Sequence, residues 1–195
     1  RILIKLLPSC FFNHAVINST IELVTTHNLE PRDIRTLRAF VPSAAVDTVC
    51  EPRDKKLAPC NIAAAQFSIY FSAACAAARR RFTLDELDAA TLGDPAIRAL
   101  AQKVEYAIDP QTNFPAHYSG GVEITTTDGR RYTAREDVNS GSVEKPLATS
   151  AIEEKFLRNA ERALSRERAT EIRDLILDIE RCADIRTLTA RLGAP

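Results

Sequence analysis

The segment from Ile4 to His14, with the sequence IKLLPSCFFNH, most constrains how this 195-residue chain can fold. Lys5 lies at the end of a short apolar run, Pro8 and Ser9 predict a turn, and a helical pattern follows. We therefore predict a buried strand over residues 2–6 and a helix over residues 10–27. This order puts the Lys5 ammonium in front of the free N–H groups of a helix N-terminus. Since both are electropositive, together they favour an anionic ligand.

The later segments predict an α+β fold in which helices cover one face of a small sheet. Alternating apolar residues predict a strand over 34–41, and residues 43–60 are irregular enough to predict a loop. A nearly continuous apolar run over 61–78 predicts one central buried helix. Asp94-Pro95 predicts the start of another helix, with Val104 on its apolar face.

Asp128-Gly129, flanked by candidate strands at 122–127 and 130–134, predicts a β-hairpin. A strict two-residue loop would place Tyr132 on the same face as Glu123. A bulge in the loop is the alternative, and the sequence leaves both open.

The composition changes at Asn139-Ser140-Gly141-Ser142, which predicts a flexible joint. We predict two parts: an α+β domain over 1–140 and a segment of three helices over 141–195. The helical segment is too short to bury a core of its own. It is therefore expected to dock on a larger helical domain.

Charge, cysteine content and hydropathy exclude several classes of function. The chain has 26 basic and 26 acidic residues, whereas a nucleic-acid-binding protein usually carries a basic face. Five scattered cysteines without a C-x-x-C pair argue against a metal site, and they favour a reducing, cytoplasmic location. No apolar stretch is long enough to span a membrane, and no signal peptide is evident.

The chain contains no methionine and begins with Arg1, inside the predicted first strand. We therefore expect a fragment, a processed subunit, or a chain preceded by further residues.

Four segments, in this order and spacing, resemble the C-terminal part of the MmgE/PrpD family, over essentially the whole chain. They are K-x-x-P-S-C-x-x-x-H from Lys5 to His14, AQFS over 65–68, the Asp128-Gly129 hairpin, and GS-x-x-KPL over 141–147 followed by EEKF over 153–156. That family includes 2-methylcitrate dehydratase, cis-aconitate decarboxylase and iminodisuccinate epimerase.

The resemblance implies that the α+β domain is a lid over an active site shared with an N-terminal helical domain, which supplies further catalytic residues. It also implies chemistry without a cofactor or a metal, and a tendency to form homodimers. The sequence departs from the family in places: Asn13 stands where threonine is usual before histidine. Val46 lies near the position where the decarboxylase branch has a tyrosine, which weakens the assignment to that branch.

The resemblance assigns Lys5 to the active site, as a general acid/base or as an anchor for a substrate carboxylate. Ser9, Cys10 and His14 are the candidate substrate-binding residues. Helix N-capping is the structural alternative for Ser9, and a hydrogen-bonded structural role is the alternative for His14. Gln66 and Ser68 lie on the predicted buried helix, where backbone groups are the expected partners of their side chains.

We therefore expect part of a lyase that dehydrates a small citrate-like polycarboxylate, completed by a helical domain or subunit, as a homodimer or hetero-oligomer. Epimerisation or decarboxylation of a related acid is the alternative within the family. A non-catalytic binding or assembly subunit is the alternative outside it.

Overall fold

The computed structural model describes residues 3–193. It divides into two compact units, one ending at Lys145 and one beginning at Pro146. The division of the chain into residues 1–140 and 141–195 stays a prediction. So does the docking of the second part on a larger helical domain.

Within the described residues, the first unit contains six α-helices and four strands. The helices are α1 (Phe11–Thr26), α2 (Arg53–Leu57), α3 (Ile62–Gln66), α4 (Ile69–Arg79), α5 (Ala89–Gly93) and α6 (Pro95–Ala101), and the strands are β1 (Ile34–Val41), β2 (Val104–Ile108), β3 (Gly120–Thr126) and β4 (Arg131–Glu136). Along the described chain, no helix has the length and hydropathy that a membrane span requires.

The strands form one sheet in the order β2-β1-β3-β4, with β1 parallel to β2 and the other pairs antiparallel. Helix α1 packs on β3, β4 and α4, and α4 packs in turn on α6. Leu37, Ala39 and Val41 of β1 are fully buried, whereas Arg38 between them is exposed. This alternation gives the sheet one covered face and one open face, so the predicted α+β class is confirmed.

Several of the elements predicted for the first unit are wrong. Residues 3–6 form no strand, and Arg1 and Ile2 lie outside the described residues. The sheet gains its fourth strand from β2 instead. The sequence predicted the end of a helix at the start of this strand. Strands and helices share short apolar runs of this kind, and pairing of β2 with β1 decides the conformation. Residues 43–60 are also more ordered than a loop, since they contain a 3₁₀ turn, a π-helical turn and α2.

The predicted helix over 61–78 is broken in two between Gln66 and Ile69. The Ser68 hydroxyl caps α4 by accepting the Phe71 N–H at 3.0 Å, and it donates to the Lys56 carbonyl. The Lys56 ammonium donates to the Phe67 carbonyl at 2.9 Å. These contacts from outside the helix stabilise the break, although alanine-rich sequence alone favours a continuous helix.

The hairpin between β3 and β4 takes the bulged form. Gly129 has a positive φ of 89°, and Ile124 rather than Thr125 lies opposite Tyr132. Tyr132 therefore shares the face of Ile124 and packs against the core. A strict two-residue loop, which would have turned Tyr132 to the Glu123 face, is excluded.

The second unit consists of α7 (Thr149–Ala160), α8 (Arg166–Leu177) and α9 (Arg186–Leu192). Helix α8 packs on both α7 and α9. An ion pair of 3.6 Å joins Arg173 to Glu153, and the Arg168 guanidinium donates to the carbonyls of Arg191 and Gly193 at the end of α9. The prediction of three helices in this segment is confirmed.

Replacement of Gly120 by alanine should disturb the contact between β3 and β1. A Cβ at this position would lie 2.7 Å from the Phe40 carbonyl oxygen and 3.4 Å from the Cβ of Ala15 in α1. We expect Gly120→Ala to lower the free energy of unfolding by about 1–3 kcal/mol, measured by urea denaturation. Gly93→Ala is the control, because a Cβ there meets nothing within 4 Å. Equal stability of the two variants would contradict the proposed close contact.

Candidate functional site

The Lys5 ammonium lies at the N-terminal end of α1. Its Nζ donates to the Ser9 carbonyl oxygen at 3.1 Å and lies 4.8 Å from the centre of the Phe11 ring. Cys10, the residue between these two, is the N-cap of the helix. The Lys5 side chain is exposed. A solvent-accessible cation therefore lies beside the start of α1.

His14 is buried one turn into α1 and faces the same carbonyl. Its Nε2 lies 3.3 Å from the Ser9 carbonyl oxygen, and its ring lies 4.6 Å from that of Phe11. Since a carbonyl oxygen can only accept, Nε2 carries the hydrogen in this contact. His14 and Lys5 thus share one acceptor. The predicted contact of His14 with substrate remains a prediction.

Ser9 is buried and does not cap α1, so helix N-capping, the structural alternative for Ser9, is wrong. Its hydroxyl donates to the Gln66 carbonyl at 2.9 Å and accepts from the Asn13 amide nitrogen at 3.0 Å. Cys10 is half-buried at the N-cap, and its backbone N–H donates to the same Gln66 carbonyl at 3.0 Å. The helix N-cap has no side-chain hydrogen bond, so the Cys10 thiol does not occupy this role.

The side chains of Gln66 and Ser68 bond to backbone carbonyls, as predicted. Gln66 Nε2 donates to the Pro8 carbonyl oxygen at 2.8 Å, and the Ser68 hydroxyl donates to the Lys56 carbonyl. Only the Gln66 contact reaches the turn that carries Ser9 and Cys10. The AQFS segment of the sequence is therefore part of the support of the site.

An aromatic cluster adjoins Lys5, and sequence reasoning missed it. The ring of Tyr118 stacks on Phe11 at 5.3 Å and meets the edge of Phe12 at 5.0 Å. The Asn139 carboxamide holds Tyr118 in place, since it accepts the Tyr118 N–H at 2.6 Å and donates to its carbonyl at 3.1 Å. Nothing local in the sequence links these positions to α1.

Gly141 brings a third distant segment to Lys5. The Ile4 N–H donates to the Gly141 carbonyl at 3.1 Å, and Gly141 has a φ of 91°. A Cβ on Gly141 would lie 2.2 Å from the Ile4 carbonyl oxygen, so a side chain cannot be accommodated here without a shift. Glycine is required at this position for two reasons: its φ is positive, and the Ile4 carbonyl oxygen occupies the space that a Cβ would need.

A separate groove of about 330 Å³ lies at the ends of the strands and contains Asp109 and Arg135. The Asp109 carboxylate is buried and accepts both terminal nitrogens of Arg135 at 3.0 Å each. The hydrogen bond to Asp109 raises the pKa of Arg135. Each charge satisfies the other, and the pair links β4 to the segment after β2.

Among residues 3–193, no group of three or more His, Cys, Asp or Glu side chains is placed to hold a metal ion.

Residues 7–181 match the family model described as the MmgE/PrpD C-terminal domain. The chain is also similar to two curated proteins, each over 103 residues: cis-aconitate decarboxylase of Homo sapiens at 34% identity and cis-aconitate decarboxylase of Mus musculus at 31%. In both cases the match spans 52% of this chain and 21% of the relative. The chain thus corresponds to a small part of each relative's length.

Replacement of Gly141 by alanine should displace the backbone at Ile4 and Lys5. A positive φ alone costs about 1–2 kcal/mol for a residue with a Cβ, and contact with the Ile4 carbonyl adds to that cost. We expect Gly141→Ala to lose more stability in urea denaturation than Gly129→Ala, and to speed hydrogen exchange at the Ile4 amide.

Gly129→Ala is the matched control, because Gly129 has a similar φ of 89° but open space where its Cβ would lie. Equal losses of stability, with unchanged exchange at Ile4, would show that Gly141 does not position this segment.

Proposed function

This chain belongs to the MmgE/PrpD family, and from this premise we propose that it forms one wall of the active site of a lyase that acts on a small polycarboxylate. A helical domain, in the same polypeptide or in a second chain, completes the site. A homodimer is the assembly that we expect.

The position of Lys5 is the observation that carries this proposal. Its ammonium lies beside the N-terminus of the 16-residue helix α1, where the backbone dipoles already produce a positive potential. The Lys5 charge adds to this potential, and the two together favour the binding of an anion. A substrate carboxylate satisfies both groups at once. The exposure of Lys5 leaves the ammonium accessible to such a ligand.

The chemistry of the family makes this charge useful. Removal of a proton from a carbon next to a carboxylate builds negative charge on a substrate that is already anionic. A fixed cation in a closed site stabilises that charge as it develops in the transition state. We assign Lys5 to this role, either by holding the carboxylate or by exchanging a proton with the reacting carbon or its leaving group.

The other candidate residues have supporting roles in this proposal. Cys10 is half-buried at the N-cap, so its thiol and the first amides of α1 are the groups next to Lys5 that a carboxylate would meet. Ser9 and His14 are both buried. The Ser9 hydroxyl donates to the Gln66 carbonyl, and His14 bonds to the Ser9 carbonyl. We expect them to support substrate binding indirectly. They fix the Ser9 carbonyl, and this carbonyl holds Lys5.

Dehydration of a citrate-like hydroxy acid is the reaction that we propose, by loss of a proton next to a carboxylate and then of hydroxide. Decarboxylation is the second candidate, and the names of the two curated relatives favour it. Val46, near the position of the tyrosine of the decarboxylase branch, argues for dehydration. Both reactions need the same carboxylate-binding cation.

Proton NMR of the full-length protein with citrate, 2-methylcitrate and cis-aconitate separates the two reactions. Dehydration yields an unsaturated acid with all its carboxylates, and decarboxylation yields a dicarboxylate with one carbon fewer. Inactivity towards all three acids, in protein that is folded and fully assembled, would favour a non-catalytic binding subunit instead.

Lys5→Ala should strongly reduce turnover with little effect on stability. Loss of one group that stabilises charge in a transition state typically lowers kcat by about 10²–10³-fold. Because Lys5 is exposed, we expect the melting temperature to change little. Steady-state kinetics and thermal unfolding of the full-length protein measure both effects.

Lys55→Ala is the control, since Lys55 is another exposed lysine, in α2. A Lys5→Ala variant with the kcat and KM of the unaltered protein would remove Lys5 from the site.

A further inference from the structure

The break between α3 and α4 leaves the carbonyl of Gln66 available to the turn before α1. At the end of α3, the N–H groups of Phe67 and Ser68 bond back to the carbonyls of Ala64 and Ala65. The Gln66 carbonyl instead accepts three donors from the other segment: the Ser9 hydroxyl at 2.9 Å, the Cys10 N–H at 3.0 Å and the Asn13 amide at 3.2 Å. A continuous helix would have used this carbonyl for its own backbone bonds.

The side chain of Gln66 holds the same turn from one residue earlier. Its Nε2 donates to the Pro8 carbonyl oxygen at 2.8 Å. Gln66 therefore bonds to three consecutive residues, Pro8, Ser9 and Cys10, through its main chain and its side chain together. The side chain is partly buried, which favours a persistent hydrogen bond over exchange with water.

The Ser9 carbonyl lies in the middle of the residues that Gln66 holds. This oxygen is the acceptor for the Lys5 ammonium at 3.1 Å and for His14 Nε2 at 3.3 Å. If the turn shifts, the acceptor shifts, and the ammonium follows it or loses the bond. Gln66 thus influences the location of the Lys5 ammonium through the turn, although none of these hydrogen bonds joins Gln66 to Lys5.

We propose that Gln66 is a positioning residue for Lys5: it fixes the Pro8–Cys10 turn and thereby sets where the ammonium lies relative to the start of α1. The consequence for catalysis rests on the function proposed above. The consequence for the chemical reactivity of Lys5 does not.

Two variants of the full-length protein test this role. Gln66→Ala removes the side-chain bond to Pro8, and Gln66→Glu keeps the size but places an acceptor against the Pro8 carbonyl. The readout is the rate at which an amine-reactive acetylating reagent labels Lys5, measured by peptide mass spectrometry against Lys55 in the same sample. Loss of the hydrogen bond from Gln66 to Pro8 loosens the turn and weakens the contact of Lys5 with the Ser9 carbonyl. We therefore expect the relative labelling of Lys5 to rise by about tenfold.

Asn61→Ala is the matched structural control. Asn61 caps the other end of α3, where its side chain accepts the Ala64 N–H at 2.8 Å, so its loss weakens the same helix. We expect this variant to lower the melting temperature and to leave the labelling of Lys5 unchanged. An unchanged rate in both Gln66 variants would overturn the proposal, as would an equal change in Asn61→Ala. Should Gln66→Ala fail to fold, the isosteric Gln66→Glu variant decides.

A second arm tests the ligand separately, with tricarballylate, an unreactive tricarboxylate, as the probe. In the unaltered protein it should protect Lys5 from labelling, and in the Gln66 variants this protection should be weaker by about tenfold. If tricarballylate gives no protection in the unaltered protein but the Gln66 variants still change the reactivity of Lys5, the polycarboxylate site is wrong and the positioning role stands.

Discussion

The hydrogen bonds that converge on the Gln66 carbonyl are the constraint on which the candidate site depends. They join the end of one short helix to the beginning of the long helix α1, and they fix the turn in which the Ser9 carbonyl lies. Helix α1 is in turn held on the sheet, where it packs on β3 and β4. The rigid layer of sheet and helices therefore determines where α1 begins, and the turn determines where Lys5 lies relative to that beginning. A loop lysine on a flexible segment could not be placed in this way.

The same arrangement is the physical reason for the polycarboxylate ligand that we propose. A polycarboxylate offers several negative charges at short spacing, and each must lose its water when the site closes. Cationic and N–H donors that are already in place replace that water without further reorganisation. The neighbouring aromatic cluster of Phe11, Phe12 and Tyr118 lies beside this cation, and the Lys5 ammonium is 4.8 Å from the centre of the Phe11 ring. Family membership and this local chemistry both support the polycarboxylate substrate that we propose.

Much of the fold could be predicted from the sequence, where local signals were strong. Period and turn chemistry predicted α1, β1, the hairpin and the three helices of the second unit. They failed for Val104–Ile108, which is too short for its period to distinguish a strand from a helix. They also failed for the helix break at Phe67 and Ser68, because the groups that stabilise it, Lys56 and the turn before α1, are distant in sequence.

Prediction of the site followed the same division. Lys5, Ser9, Cys10 and His14 are close in sequence, and helical spacing was enough to place them together. Tyr118, Asn139 and Gly141 reach the site only through the sheet topology, so no local pattern could have indicated them. The resemblance had singled out Gly141 without a reason, and the structure supplies one: a side chain there would meet the Ile4 carbonyl.

A crystal structure of the full-length protein with tricarballylate bound tests the central claim most directly. The account predicts one carboxylate within hydrogen-bond distance of Lys5 Nζ, next to the first amides of α1. Density for the ligand at another place, with the Lys5 ammonium still on the Ser9 carbonyl and facing bulk solvent, would contradict it.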